Sequence, residues 1–433
     1  MSKTYSIMTL GCKVNQYESK AVSEIFTDRG YEYIDHESED ADIYVINTCT
    51  VTNISDRKSR QTIRRVKKNN PDAIVAVMGC YSQISPEDVS KIEGVDIILG
   101  TTERNKIVDL CEEFEREKKQ INIVRSLKGD HCFQQISAKN AEGKTRAYMK
   151  VQDGCNRFCS YCIIPYARGS IRSRDMDDAI KEARELAAAG YKEIILTGIH
   201  VGSYGYDLGD IRLIDLIEKI AEIEGIDRIR LSSVEQSIIS EDFMKRAIKT
   251  NKLCDHFHLS LQSGCDKTLK AMNRKYTTDE FYEKTQLIRK YMPNAGITTD
   301  VIVGFPGETD EDFKESCDFI EKVGFSRIHI FKYSIREGTV AAKMPDQVDG
   351  NIKIQRSDAL FEINEKLMEK FAKNNLGLKK SLLIEEEIEP GRFLGYTTNY
   401  IRCSVNSQEN IHNQVVEVNL LETRGETLAA KIL

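Results

Sequence analysis

Strand-like and helix-like segments alternate along most of this 433-residue chain, and that alternation limits its fold more than any other feature. Residues 1–110 contain the strand-like stretches TYSIMTL, DIYVINT, AIVAVMG and VDIILG, with helix-like segments between them, one of them from about Ser55 to Asn69. This order is typical of βαβ units on a parallel sheet. We therefore predict an N-terminal parallel-sheet α/β domain over residues 1–110.

A second alternating series follows a polar stretch, residues 111–140, which we predict to be a linker or an irregular segment. Six strand candidates, from TRAYMKVQ to RIHIFKYS, lie within residues 141–370. Six repeats are too few for a closed eight-fold barrel, so we predict a partial (β/α)6 barrel. Residues 371–433 contain short alternating strands, which are typical of a small all-β barrel.

The composition indicates a protein with no membrane association. No apolar run approaches the roughly 18 residues of a membrane-spanning helix, and the N-terminal apolar stretch is too short for a signal peptide. We expect a cytoplasmic location, where thiols stay reduced, so the 12 cysteines are interpreted as ligands, nucleophiles or core residues. The net charge of -6 argues against a general polycation but leaves room for a local basic patch.

Three cysteines each follow directly on a predicted strand of the first series. Cys12 comes after MTLG, Cys49 after VINT and Cys80 after AVMG. In a parallel sheet these positions share the carboxyl edge, where open α/β folds bind ligands. A packing role is credible for any one of them, but three equivalent positions favour a common site. We call these residues the first triad.

The segment DGCNRFCSYC, residues 153–162, places Cys155, Cys159 and Cys162 in a CxxxCxxC pattern after the first predicted barrel strand. We call these residues the second triad. Structural zinc would need a fourth ligand, for which His131 and Cys132 are the near candidates. Iron-sulfur ligation by closely spaced thiolates fits better. Three thiolates on a four-iron cluster leave one iron open to a small-molecule ligand.

The CxxxCxxC loop in a six-fold β/α barrel resembles the radical S-adenosylmethionine superfamily, and the whole chain resembles its methylthiotransferase family. LGCKVNQYES, VINTCTVT, MGCYSQ, KVQDGCNRFCSYCIIPYARG and GYTTNYI are most similar to the branch that methylthiolates C2 of N6-threonylcarbamoyladenosine in tRNA, 3′ of the anticodon. Sister enzymes acting on isopentenyladenosine or on a ribosomal protein side chain remain alternatives. A non-catalytic iron-sulfur or zinc RNA-binding protein is the alternative of another class.

The resemblance implies a transferase with two 4Fe-4S clusters and S-adenosylmethionine. The cluster on the second triad is implied to bind S-adenosylmethionine and, once reduced, to cleave it to a 5′-deoxyadenosyl radical. The cluster on the first triad is implied to carry the sulfur that is methylated and transferred. No side chain is expected to act as a general acid or base. The implied partners are the tRNA anticodon stem-loop and an electron donor such as flavodoxin or ferredoxin; the sulfur source stays open.

The resemblance also places candidate S-adenosylmethionine contacts in the second-triad loop and at or just beyond the ends of the barrel strands. An ordinary turn or packing role is the alternative for each, although a guanidinium suits the carboxylate of the cofactor. The candidates are Tyr161, Thr197, Gly198, Glu235, Gln262, Ser263, Arg274, Val303 and Gly304.

Candidate RNA contacts come from a basic segment and from the tail. In SDRKSRQTIRRVKKNN, residues 55–70, Arg57, Arg60, Arg64 and Lys68 recur at three- and four-residue steps, so they share one stripe of a helix. Its position after Cys49 favours phosphate contacts over a merely solvated face. The tail resembles a TRAM domain, a small RNA-binding barrel. Its candidate contacts are Arg392 and Tyr400, with barrel core as the alternative role for the aromatic ring.

Overall fold

The computed structural model describes residues 2–35, 40–129, 132–138, 145–424 and 427–433. His131, named above as a candidate zinc ligand, lies outside these residues. The chain divides into two compact units. The first unit comprises Met1–Asn140, Gln152–Arg174 and Ser334–Ala342, and the second comprises Ala141–Val151, Asp175–Tyr333 and Lys343–Leu433.

The first unit is built on a six-stranded parallel sheet, which confirms the predicted α/β domain. Its strands are β1 (Thr4–Thr9), β2 (Glu32–Tyr33), β3 (Ile43–Thr48), β4 (Ile74–Gly79), β5 (Ile97–Ile98) and β6 (Ile121–Asn122). They lie in the order β2-β1-β3-β4-β5-β6. The accompanying helices are α1 (Lys13–Asp28), α2 (Asn53–Asn69), α3 (Cys80–Ile84), α4 (Pro86–Ser90) and α5 (Ile107–Glu117).

The central strand β3 is buried on both faces of this sheet. Ile43 and Val45 pack into one hydrophobic core, and Tyr44 and Ile46 pack into another. Successive side chains of a strand point to opposite faces, so a strand covered on both sides needs a continuous apolar run. The sequence IYVI supplies that run and fixes β3 in the middle of the sheet.

The sheet continues past residue 110, where we placed the end of the first domain. Helix α5 buries Leu110 and Cys111, and strand β6 pairs in parallel with β5. The apolar residues of α5 are interleaved with charged ones, so average composition concealed an amphipathic helix. The start of the stretch 111–140 therefore belongs to the sheet domain and is not a linker.

Two later segments complete the first unit. Gln152–Asp153 pairs in antiparallel fashion with Arg172–Ser173 and so encloses the CxxxCxxC loop. A short helix, Ile164–Arg168, follows the last cysteine of that loop. The Ser334–Ala342 segment is held by a bond from the Ala341 amide to the Ser160 carbonyl at 2.8 Å. The loop of the second triad therefore packs in the same unit as the sheet that carries the first.

The second unit contains a partial barrel of six parallel strands, as predicted. They are β7 (Arg146–Lys150), β8 (Glu193–Thr197), β9 (Arg228–Leu231), β10 (His256–His258), β11 (Gly296–Val303) and β12 (Arg327–Lys332). They form two three-stranded sheets, β9-β8-β7 and β10-β11-β12, linked by isolated parallel bridges. The helices are α6 (Met176–Ala188), α7 (Leu213–Ala221), α8 (Glu241–Lys249), α9 (Asp266–Ala271), α10 (Thr278–Tyr291), α11 (Asp310–Val323) and α12 (Gly350–Asn375).

The C-terminal strands close into a five-stranded barrel, which confirms the predicted small all-β barrel. They are β13 (Lys379–Glu389), β14 (Arg392–Thr397), β15 (Arg402–Asn406), β16 (Val415–Arg424) and β17 (Thr427–Ile432), in the order β13-β14-β15-β17-β16. Leu382, Phe393 and Val418 fill its core. Across the described ranges, no helix is both long enough and apolar enough to cross a membrane.

A buried glutamate connects the C-terminal barrel to the partial barrel. The Glu193 carboxylate pairs with Arg228 Nε at 2.9 Å and with Arg230 Nε at 2.6 Å. The same guanidinium groups donate to the carbonyls of Tyr396 and Thr397 at 2.9–3.2 Å. Burial alone would raise the pKa of Glu193, but the charges of Arg230 and Arg228 outweigh it, and the pKa falls to about 2.

The replacement Arg230→Met is expected to cost about 3 kcal/mol, because it removes one partner of a buried ion pair. A thermal melt at neutral pH should show a lower midpoint. Lys219→Met, which breaks an exposed pair with Glu222, is the control and should cost less than about 0.5 kcal/mol. The pKa of Glu193 is lowered by folding, so its stabilisation is present above about pH 4.5 and fades towards pH 2. The parent and Arg230→Met should therefore converge in acid; equal midpoints at neutral pH would contradict this role.

Candidate functional site

The first triad lies at the carboxyl edge of the first sheet, as its sequence positions predict. Cys12, Cys49 and Cys80 follow β1, β3 and β4, which are neighbours in the sheet. Cys12 is exposed, whereas Cys49 and Cys80 are buried. Burial raises the pKa of the Cys80 thiol to about 11, and the charges of Cys12 and Cys49 act in the same direction. The topology of the sheet thus brings all three cysteines to one edge.

A glycine before the first cysteine allows this approach. Gly11 has a φ of +109°, and a Cβ at that position would lie 2.8 Å from Cys49 Cβ and 2.9 Å from its Sγ. A side chain there would be strained in its own backbone and would also collide with Cys49. Only a glycine at position 11 therefore allows the chain just before Cys12 to pass this close to Cys49.

The second triad lies in a loop closed by main-chain bonds. Its three cysteines are partly exposed. The Cys162 amide bonds the Cys159 carbonyl at 2.9 Å, and the Cys155 amide bonds the Gly169 carbonyl at 3.0 Å. Gly154 has a φ of +73°, and a Cβ there would lie 1.9 Å from the Ser170 carbonyl oxygen. The loop thus closes around a position that only glycine fits.

We predict that Gly154→Ala disables the second triad and leaves the first intact. The added methyl group overlaps a main-chain oxygen, so the backbone beside Cys155 must move. After anaerobic reconstitution the variant should hold about half of the parent's iron and sulfide. Gly209→Ala is the control, since Gly209 has a φ of +81° with open space around its Cβ position. Full iron content in Gly154→Ala would contradict the prediction.

The donor chemistry of both triads fits iron-sulfur clusters better than zinc. A single zinc ion needs ligands that converge on one point. A four-iron cluster takes its thiolates on separate iron atoms. Each triad supplies three cysteine thiols, the donor type that such clusters take.

Sequence reasoning missed a buried arginine between the two triads. Arg168 ends the helix that follows the second triad, and its Nε lies 3.2 Å from Cys80 Sγ of the first. It is fully buried. The available signal was a basic residue within IIPYARG, six positions after Cys162, where the neighbouring residues are apolar or small.

Glu235 brings together two residues near the ends of the barrel strands. Its carboxylate lies 3.5 Å from Arg274 Nη2, a predicted cofactor contact, and 3.6 Å from His200 Nε2. Arg274 also donates to the Ser260 carbonyl at 3.0 Å. Arg274 therefore already has a carboxylate of the protein beside it. Its contact with the cofactor carboxylate stays a prediction.

The other predicted cofactor residues lie at or beyond strand ends, as expected, apart from the half-buried Tyr161 in the cysteine loop. Gln262 has a φ of +74° and forms an isolated bridge with β11. The Gly304 amide donates to Glu308 Oε1 at 2.8 Å. Contacts with S-adenosylmethionine stay predictions for this set. The remaining members are Thr197 and Gly198 at the end of β8, Ser263, and Val303 at the end of β11.

The basic helix α2 presents most of its predicted stripe to solvent. Arg57, Arg64 and Lys68 are exposed. Arg60 differs, because its Nη1 donates to the Tyr81 hydroxyl at 3.2 Å and the side chain is half-buried. Arg60 thus fastens the helix to the residue after Cys80, and the other three cations remain available to phosphates.

The predicted RNA contacts of the tail have partners within the second unit. The Tyr400 ring stacks on His256 and on Tyr396, with centroids 4.6 and 4.8 Å apart. Arg392 Nη1 lies 3.5 Å from a carboxylate oxygen of Glu389. Packing accounts for the position of Tyr400 without RNA. Its role in stacking a base stays a prediction.

The first unit exposes apolar side chains near cysteines of both triads and on the Ser334–Ala342 segment. Their exposed fractions run from 45% to 61%. Two of the rings stand edge to face, with centroids 5.8 Å apart. The segments also contact one another, since the Asn53 side chain donates to the Ile335 carbonyl. The exposed residues are Val51, Ile54, Phe158, Tyr166, Ile335 and Val340.

Two family models match the chain in the regions that hold the triads. The Radical SAM superfamily matches residues 149–320, and an uncharacterized protein family, UPF0004, matches residues 4–100. A solved structure of the radical S-adenosylmethionine methyltransferase TsrM from Kitasatospora setae covers 77% of this chain and 75% of its own at a TM-score of 0.57 and 14% identity. At that identity the match shows the fold alone.

Curated relatives resemble the chain along nearly its whole length. Threonylcarbamoyladenosine tRNA methylthiotransferase MtaB of Bacillus subtilis is 42% identical over 97% of this chain and 94% of its own, and that of Aquifex aeolicus is 40% identical over 91% and 94%. The tRNA-2-methylthio-N(6)-dimethylallyladenosine synthase of Pelotomaculum thermopropionicum is 36% identical over 92% and 90%. The chain belongs to the radical S-adenosylmethionine methylthiotransferase family. Its cofactors are accordingly S-adenosylmethionine and two 4Fe-4S clusters.

Proposed function

We propose that this chain methylthiolates C2 of N6-threonylcarbamoyladenosine in tRNA, at the position 3′ of the anticodon. The observation that carries the proposal is the similarity over almost the whole chain to relatives named for that substrate, which reaches 42% identity. The reported relative named for dimethylallyladenosine reaches 36%. Dimethylallyladenosine is therefore the alternative substrate, and the experiment below must distinguish it from threonylcarbamoyladenosine.

We assign one 4Fe-4S cluster to each triad. When bound, the clusters and S-adenosylmethionine supply the radical chemistry and the methylthio group. The chain's own contribution is to hold the two sets of thiols in one compact unit, through Gly11 in one loop and Gly154 in the other. Glu235 and Arg274 are proposed to hold the charged groups of S-adenosylmethionine at the barrel strand ends.

The surface around the triads is proposed to receive the anticodon stem-loop. The cations of α2 suit the phosphate backbone, and exposed rings such as Phe158 and Tyr166 suit the stacking of unpaired bases. An electron donor such as flavodoxin or ferredoxin, and a cytoplasmic location, follow from the same assignment and stay predictions.

Reversing three charges on α2 is expected to weaken tRNA binding at least tenfold. The triple variant Arg57→Glu, Arg64→Glu, Lys68→Glu removes about three phosphate contacts, so the slope of log Kd against log salt should fall by roughly 2. Binding is measured by fluorescence anisotropy with an anticodon stem-loop RNA.

The control reverses three exposed lysines of α12, at positions 366, 370 and 373, and so makes the same change in net charge. Its affinity should stay close to that of the parent. Equal weakening in both triple variants would show that only net charge matters and would remove the RNA-binding role of α2.

The substrate is tested by nucleoside mass spectrometry of tRNA from cells that lack the gene and any redundant enzyme. We expect loss of 2-methylthio-N6-threonylcarbamoyladenosine and accumulation of N6-threonylcarbamoyladenosine, which lacks the methylthio group. The wild-type gene should restore the methylthiolated nucleoside. A gene with all three first-triad cysteines changed to Ala should fail to restore it. If the methylthio group is missing only from isopentenyladenosine, the proposed substrate is wrong, although the reaction is still a methylthiolation.

A further inference from the structure

The side chain of Arg168 contacts one cysteine loop, and the backbone of the next residue contacts the other. Its Nε donates towards Cys80 Sγ at 3.2 Å. The next residue, Gly169, accepts a bond at 3.0 Å from the amide of Cys155. Arg168 therefore contacts the sulfur of Cys80 in the first triad. Its neighbour Gly169 binds the amide of Cys155 in the second triad.

The guanidinium of Arg168 is held in a fixed orientation. Its two terminal nitrogens pair with the two carboxylate oxygens of Glu18, one of them at 3.0 Å, and Nη2 also donates to Asn15 Oδ1 at 2.9 Å. Asn15 and Glu18 lie in the first turns of α1, which begins directly after Cys12. Because the guanidinium is planar and its two terminal nitrogens are fixed by the Glu18 carboxylate, the direction of its Nε–H bond is fixed as well. That direction is the sulfur of Cys80.

The cations around Arg168 partly offset the cost that burial imposes on a negative charge at that sulfur. Five buried charged side chains lie together here, and three of them are cations. Charges buried without partners are costly, so a group of this composition favours a further anion beside it. A cysteine thiolate that ligates iron supplies one. The group consists of Glu18, Asp153, Arg104, Arg168 and Arg172.

We propose that Arg168 is a positioning residue for the first triad: it orients Cys80 as a ligand and, by donating a charged hydrogen bond to its sulfur, raises the reduction potential of the cluster held there. A cluster gains one negative charge when it is reduced by one electron. A cation and a hydrogen bond at a ligand sulfur stabilise that charge, and hydrogen bonds to sulfur are an established control on cluster potential. The inference rests on the proposed function only in assigning a cluster to Cys12, Cys49 and Cys80.

The experiment isolates the first cluster by placing every variant in a chain with Cys155, Cys159 and Cys162 changed to Ala. This parent is reconstituted anaerobically, its iron and sulfide are measured, and its cluster is titrated with dithionite and mediators while electron paramagnetic resonance is recorded. Arg168→Gln should shift the midpoint potential to a more negative value. Arg168→Lys keeps the positive charge but not the planar guanidinium, so its midpoint potential should lie between those of the parent and of Arg168→Gln.

Arg104→Gln is the matched control. Arg104 is equally buried and pairs with the same Glu18 carboxylate at 3.0 Å, but its other bonds go to the Thr101 carbonyl and to Gln134. Its removal costs a comparable buried ion pair and one buried cation but no hydrogen bond to Cys80, so it should shift the potential less than Arg168→Gln does. Melting temperatures of the metal-free variants are measured alongside, and both substitutions are expected to lower them to a similar degree.

Each outcome decides the proposal. A negative shift in Arg168→Gln that exceeds the shift in Arg104→Gln supports it, and so does loss of the cluster from Arg168→Gln alone. Equal shifts, no shift in Arg168→Gln, or loss of the cluster from both variants would overturn it, because Arg168 would then act only as part of a buried ion pair. A parent chain that holds no cluster would instead refute the assignment of the first triad, and this inference with it.

Discussion

A buried glutamate that binds two arginines fixes the geometry of each compact unit. The groups are Glu18 with Arg104 and Arg168 in the first unit, and Glu193 with Arg228 and Arg230 in the second. Removing such charges from water costs free energy that the ion pairs largely offset, so they contribute less net stability than their strength suggests. Their contribution is orientation, because a planar guanidinium fork meets a carboxylate in few geometries. The cysteine loops in one unit and the C-terminal barrel in the other depend on that orientation.

The fold and the two triads could be predicted because their signals are local. A continuous apolar run such as IYVI marks a strand covered on both faces, and the residue after such a strand must lie at the carboxyl edge. Cys12, Cys49 and Cys80 could therefore be grouped although 37 and 31 residues separate them along the chain. The spacing of Cys155, Cys159 and Cys162 is local as well. Topology in one case and spacing in the other made these six residues visible.

The rest could not be predicted because it depends on partners far away in the chain. Arg168 contacts Glu18, 150 positions away, and Cys80, 88 positions away. Nothing in the residues next to Arg168 specifies either partner. The same holds for Tyr400, whose ring stacks on His256, and for Arg60, which bonds the hydroxyl of Tyr81. Sequence patterns show which residues a helix or strand exposes. They do not show which side chain from a distant part of the sequence contacts those residues.

The substrate must be recognised by a different set of residues from the one that performs the chemistry. Relatives named for two different modified adenosines both resemble this chain along nearly its whole length, at 42% and 36% identity. Because both names describe methylthiolation of a modified adenosine, the cysteines of the two triads and the buried charges beside them have no reason to differ between the branches. The choice between a charged threonylcarbamoyl group and an apolar isopentenyl group requires side chains that reach the RNA. On the surface proposed to receive the RNA, Val51, Phe158 and Tyr166 are exposed. Differences between the two branches are therefore expected on this surface and not in the buried network beneath it.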